Sequence, residues 1–205
     1  MIDFEEIKKY LPQYLSSESQ DKLFEDLKGF PTNLDQFYSF SLSKNDSFYQ
    51  GDGVSKLLVV DLPNPKIGEL PSLIISNSCD IEPKNERFFS SRVLYAPIFK
   101  LEKYKNALIL DNVKNEKYTI NAVEDHIKNI KNQLTNQILF LPKGGQLEDD
   151  SIVFLDRINS CPIEQLNKTG NSLYKLFTLS NYGFYVFLIK LSIYFTRIRE
   201  GIDRI

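Results

Sequence analysis

Apolar positions along this chain fall at two spacings, and the change from one to the other divides it. Phe4, Ile7, Tyr10 and Leu11 share one helical face, and Pro12 is placed to bend or end that helix. Ser17 and Ser19 offer caps for a second helix to about Lys28, with Leu23, Phe24 and Leu27 inward and Gly29-Phe30-Pro31 closing it. After the turn signal Tyr49-Gln50-Gly51-Asp52-Gly53 the apolar blocks become too short for helices. Lys56–Leu62, Ser72–Ser76, Arg92–Ile98, Ala107–Leu110, Ile138–Leu141 and Ile152–Leu155 read as strands. Pro63-Asn64-Pro65 and Gly68 predict a loop, and Pro142-Lys143-Gly144-Gly145 a turn. Helical spacing returns over Asn121–Gln133, with Ile127, Ile130 and Leu134 inward and Lys128 and Lys131 outward. Ser180 then caps a long helix to about Arg199, whose core face is Phe184, Phe187, Leu188, Leu191, Phe195 and Ile198.

Short strands closed by helices predict a mainly β fold with added helices, an α+β arrangement. The expected organisation is an N-terminal helical extension over 1–40 and a barrel with its C-terminal helix over 41–205. With 205 residues, 42% hydrophobic and 25% charged, the chain has enough apolar material for a real core. A net charge of −2 supplies no global attraction to nucleic acid or membrane, so any RNA contact needs a local basic surface. The helical lead-in carries four lysines against eight acids and would repel nucleic acid. The apolar run Tyr182–Phe195 is interrupted by Lys190 and shorter than the roughly 20 residues a membrane span requires, so a buried helix is expected. Two cysteines argue against a disulfide scaffold, and the acidic opening Met1-Ile2-Asp3-Phe4-Glu5-Glu6 differs from a secretory leader; a cytoplasmic protein is expected.

Candidate chemistry concentrates between residues 76 and 105. Ser76-Asn77-Ser78-Cys79-Asp80 ends a strand. Cys79 beside Asp80 is either a site or a half-buried cysteine next to a turn-forming aspartate, since an adjacent carboxylate disfavours the thiolate. Over 84–105, Lys84, Arg87, Arg92, Lys100, Lys103 and Lys105 stand against two glutamates, interleaved with Phe88, Phe89, Tyr95, Phe99 and Tyr104. Cations for phosphates and rings for bases are what single-stranded RNA binding needs, while strand alternation would bury several of the rings. The single histidine, His126, is either a base or a surface residue near two acids, Glu124 and Asp125. One histidine and two distant cysteines give no metal-ligand spacing, so neither a metal nor a cofactor is expected. Gly144-Gly145 lacks the Gly-Lys-Ser/Thr of a phosphate loop.

Several segments in order resemble the MazF/PemK toxin family: Gly51-Asp52, Asp61-Leu62, Gly68-Glu69, Pro71-Ser72-Leu73-Ile74-Ile75-Ser76-Asn77, Val93-Leu94-Tyr95-Ala96-Pro97-Ile98, and Asp150-Ser151-Ile152-Val153 through Asp156-Arg157-Ile158. The resemblance implies an SH3-like barrel with an added N-terminal helical pair and a long C-terminal helix, often paired as a homodimer. It also implies a place in a toxin–antitoxin or phage-defence system. In that family a strand-opening arginine and a threonine after Ala-X-Ile serve metal-independent endoribonuclease chemistry. Here Leu70 precedes Pro71 and Phe99 follows Ile98, so both positions are apolar. Losing a positioned donor costs on the order of a hundredfold in rate, so binding of RNA or a cognate protein is expected ahead of efficient cleavage. Were cleavage retained, Asp80, Arg87 and Arg92 are the catalytic candidates, with His126 as another base, and Asn77, Cys79, Lys84 and Lys100 the RNA contacts. The alternative is a protein-interaction or immunity module that uses the barrel as a scaffold. A basic groove by Cys79 and Arg87 would favour RNA, and an exposed apolar patch would favour a partner protein.

Overall fold

Among the described residues, seven strands form one antiparallel sheet that curls into a half-barrel, and four helices cover it. A computed structural model describes residues 16–196 apart from 45, 64, 83, 86, 116–117 and 167–172. The helix expected over Phe4–Leu11, the side chain of Phe24 and the end of the final helix lie outside the described residues. The strands are β1 (Gly53–Asp61), β2 (Lys66–Ile74), β3 (Arg92–Lys100), β4 (Ile138–Leu141), β5 (Ser151–Phe154), β6 (Asn159–Pro162) and β7 (Lys175–Phe177). The helices are α1 (Ser17–Lys28), α2 (Leu101–Asn115), α3 (Ile120–Lys131) and α4 (Asn181–Thr196). The strand order is β4-β5-β3-β2-β1-β7, with β6 beside the first half of β3.

Residue alternation along β3 organises the core. Ala96 and Ile98 face one side, where Leu73, Leu139, Val153 and Phe177 pack against Leu23 of α1 and Tyr182, Val186 and Phe187 of α4. Val93 and Tyr95 face the other side, inside the curl, with Val54, Leu57, Val59, Ile74 and Cys161. Further along that second side, α2 and α3 cover β4 and β5 through Leu101, Val123, Ile127 and Ile130 packed on Ile138, Phe140 and Ile152. Side chains bridge the curl back to β1: Tyr95 of β3 donates its hydroxyl to the Leu58 carbonyl, and Val60 N–H donates to Asn159 Oδ1 of β6 at 2.9 Å. Burial, and after it the neighbouring Cys161, push the Tyr95 phenol up to about 12, with Arg92 opposing.

Several expectations need correcting. Ala107–Leu110 is not a strand but the middle of α2, because Leu101, Tyr104 and Leu108 recur at helical spacing against the α3 cluster. A four-residue apolar block fits both periods, and only its flanks decide. The loop expected through Gly68 is strand: β2 begins at Lys66, and the β1–β2 hairpin turns over at Leu62–Pro65. Pro71 survives inside it because pairing skips there, with Leu57 opposite Leu70 and Val54 opposite Ser72, so no ladder N–H is needed. Leu134 is 64% exposed, since the left-handed Gln133 ends α3 before the next turn. Phe195 is also exposed, at 57%. Ser16, not Ser17 or Ser19, caps α1, accepting from Ser19 N–H at 3.2 Å. Strands β6 and β7 carry too few apolar residues to be read from the sequence.

The interior also contains charge. Lys190 of α4 is 4% exposed and donates to the carbonyls of Gln133, at 3.1 Å, and Thr135, tying α4 to the end of α3. Burial lowers its ammonium to about 8. Asp52 is wholly buried, 3.0 Å from Lys175 Nζ, and accepts from Tyr49 N–H at 2.9 Å. Burial raises this carboxyl, against the opposing pull of the Tyr49 N–H and the lysine.

Candidate functional site

The turn that follows β2 gathers most of the sequence candidates. Asn77 Oδ1 accepts from Cys79 N–H at 2.9 Å and caps a short 3-10 turn over Ser78–Asp80. Arg87 folds back onto this turn, its guanidinium 2.8 Å from the Cys79 carbonyl and 3.0 Å from Asp80 Oδ1. Asn85 adds a second donor to the same carbonyl at 2.8 Å. Asn77, Cys79, Asp80 and Arg87 are therefore brought together, but as a closed network in which the arginine and aspartate neutralise each other. Lys84 is exposed on the same loop. Arg92 opens β3 and donates to Ser160 Oγ and the Ser160 carbonyl, at 3.0–3.1 Å, away from that network. Lys100, at the other end of β3, pairs with Asp149. Eight residue steps along the strand separate Arg92 from Lys100, roughly 26 Å.

The interleaved rings divide as well. Phe88 and Phe89 point outward, Tyr95 is buried inside the curl, and Tyr104 turns toward α3, its hydroxyl 3.0 Å from His126 Nε2. The single continuous basic and aromatic surface that the sequence suggested is not formed by these residues.

A cleft forms elsewhere, on the second face of β3 between the β1–β2 hairpin and the turn after β5. Its volume is about 590 Å³. Pro97 and Phe99 are its floor; Leu70, Ile67 and Leu62 of the hairpin line one wall, and the turn Asp156-Arg157-Ile158 lines the other. Positions 70 and 99, singled out in the sequence because both are apolar, thus converge here from different strands.

The polar groups of the cleft are Asp61, Lys66, Asp156, Arg157 and Asn159, with formal charges that balance. Arg157 is the residue that sequence reasoning passed over. Its guanidinium carbon lies 4.3 Å from the centre of the Phe154 ring and 5.7 Å from that of Phe99. It makes no hydrogen bond or ion pair through its side chain to any described residue. Its backbone is fixed by Arg157 N–H to the Phe154 carbonyl at 3.2 Å and by Asn159 Nδ2 to its own carbonyl at 3.4 Å. The spacing Phe154-x-x-Arg157 was the available signal, because a tight turn after a strand returns residue i+3 over residue i. Tyr104 shares the platform, its ring 5.4 Å from that of Phe154. Burial raises the Tyr104 phenol, with the nearby Arg157 charge opposing.

Among the described residues no helix is long and apolar enough to cross a membrane. No protein-family model matches the chain, and a search of curated proteins finds no significant match.

Proposed function

We propose that the half-barrel is of the MazF/PemK type and serves as a binding module for a partner protein, as part of a toxin–antitoxin or phage-defence system, rather than as an efficient ribonuclease. One observation carries this reading: the cleft that Leu70 and Phe99 share is apolar at its floor, formally neutral at its rim, and bordered by a hairpin whose Leu62 and Ile67 are 73% and 67% exposed. Apolar surface of this kind, rimmed by polar groups, suits a protein chain. Single-stranded RNA requires unpaired cations along a groove. Arg87, Lys100 and Lys105 are instead held by Asp80, Asp149 and Glu124, and Arg92 is engaged with Ser160.

Two measurements test the reading. Purified protein is incubated with long single-stranded RNA in EDTA, and the expected outcome is intact RNA even at high protein concentration. Photo-crosslinking side chains are then placed at 62 and 67, and at the exposed control position Lys103, in the cells that make the protein. A crosslinked product of one defined mass at 62 and 67, absent at 103, is expected. Cleavage in EDTA, or the same products at all three positions, would overturn the reading.

A further inference from the structure

We propose that Arg157, with the Tyr104 hydroxyl and the His126 imidazole, forms a binding site for a phosphoryl group beside the Phe99–Phe154 ring pair. This site borders the cleft of the partner-protein reading but does not rest on that reading, and its test needs no partner. Three observations converge on it. The first is the unengaged guanidinium of Arg157, whereas Lys100, Lys105, Lys131 and Arg87 each have a carboxylate within 3.0 Å. A guanidinium offers a rigid fork of donors that matches phosphate geometry. The second is its placement: stacked 4.3 Å from the Phe154 ring centre, it gives up rotational freedom before any ligand arrives, so less is lost on binding. The third is Tyr104 of α2, whose ring lies 5.4 Å from that of Phe154 and whose hydroxyl is 3.0 Å from His126 Nε2.

The proton arithmetic of the pair suits an anion. In the Nδ1–H tautomer the tyrosine donates to Nε2, and its hydroxyl is spent there. In the Nε2–H tautomer the imidazole donates to the phenol oxygen, and the O–H is released to donate to a phosphoryl oxygen. An anion beside the hydroxyl selects the second tautomer. Asp156 beside Arg157 and Asp61 across the cleft oppose an anion, which makes the sign of a charge substitution there diagnostic.

His126 is the single histidine of the chain, so its Cε1–H resonance is an unambiguous reporter. Inorganic phosphate is titrated into the full chain and compared with chloride at equal ionic strength. The expected result is a saturable movement of that resonance with phosphate alone. Arg157→Gln should weaken the apparent affinity at least tenfold with an unchanged melting temperature, since the side chain is exposed. Asp156→Asn should tighten it several-fold. Tyr104→Phe should reduce the movement while circular dichroism stays native. A non-saturating or chloride-like response of the wild type, or Arg157→Gln saturating as the wild type does, would overturn the site. Uridine 5′-monophosphate and an RNA oligomer lacking terminal phosphates separate the two sources of the group. Tighter saturation by the oligomer assigns the site to a backbone phosphodiester and weighs against the partner-protein reading, while response to the mononucleotide alone assigns it to a terminal phosphate.

Discussion

Raising the pH from 7 to about 9.5 should stabilise this protein, and the cause should be Lys190. The folded chain holds this ammonium at about 8, against 10.5 in the unfolded chain, because it is buried, with the carbonyls of Gln133 and Thr135 as its partners among the described residues. A base whose folded value is lowered releases its proton first in the folded state. Between about pH 8 and 10.5 the unfolded chain therefore binds more protons, and stability rises with pH across that window. At pH 9.5 the linkage gives about 2 kcal/mol relative to pH 7, which is a ceiling where water reaches the amine in brief openings. For a chain of this size that is a rise of about 4–8 °C in melting temperature. Tyr95 and Tyr182 act in the opposite sense, since burial pushes both up to about 12 and they keep protons that the unfolded chain loses above pH 10. A maximum between pH 9 and 10 follows. The assay is a set of thermal and urea melts at constant ionic strength for wild type and Lys190→Met. The variant leaves two carbonyls unpaired and changes absolute stability, so the pH slope is the diagnostic quantity. Parallel slopes for the two proteins would refute the reasoning.

Three further outcomes are expected. Lys175→Met strips buried Asp52 of its cation and should destabilise the fold by about 3–5 kcal/mol in urea melts, with Asp52→Asn in the same chain recovering a large part, because an uncompensated buried charge is the main cost. Gly53→Ala should cost about 1–3 kcal/mol, since the new methyl would sit 2.3 Å from Phe177, a ring only 1% exposed; pairing it with Phe177→Leu should relieve part of the loss, and additive costs would contradict this account. Tyr95→Phe should cost about 1 kcal/mol and raise hydrogen exchange at Val60, because the Leu58 carbonyl loses its donor and β1 loses its side-chain tie to β3; unchanged exchange would show that Asn159 alone holds β1 across the curl.

Part of this arrangement was legible from spacing. The Ser180 cap of α4, most of the apolar faces of α1, α3 and α4, and the blocks that became β3, β4 and β5 follow from local pattern and survive in the fold. The failures have physical causes. Ala107–Leu110 fits two periods, so packing against α3 decided for helix. Leu134 has the right spacing, but the helix stops at a left-handed residue before reaching it. Strand β6, Asn-Ser-Cys-Pro, is held by its pairing with Arg92–Tyr95 and has no propensity signal of its own. At the site the sequence identified positions 70 and 99 and the loop Asn77–Arg87, yet overlooked Arg157, since a lone arginine in a turn looks like any solvated charge.

The chain's own pattern determined where helices and strands could form, that its charge is near balance, and that positions 70 and 99 are apolar. Those are properties of neighbouring residues or of the whole composition. Which cations remain unengaged was decided by tertiary structure alone. Arg87 met Asp80 seven residues away and Lys100 met Asp149 from a distant turn, while Arg157 was set on two rings without a described acceptor. A charge pair needs two groups within a few ångströms, and that distance exists only once the sheet has curled and brought β2, β3 and the β5–β6 turn around one cleft.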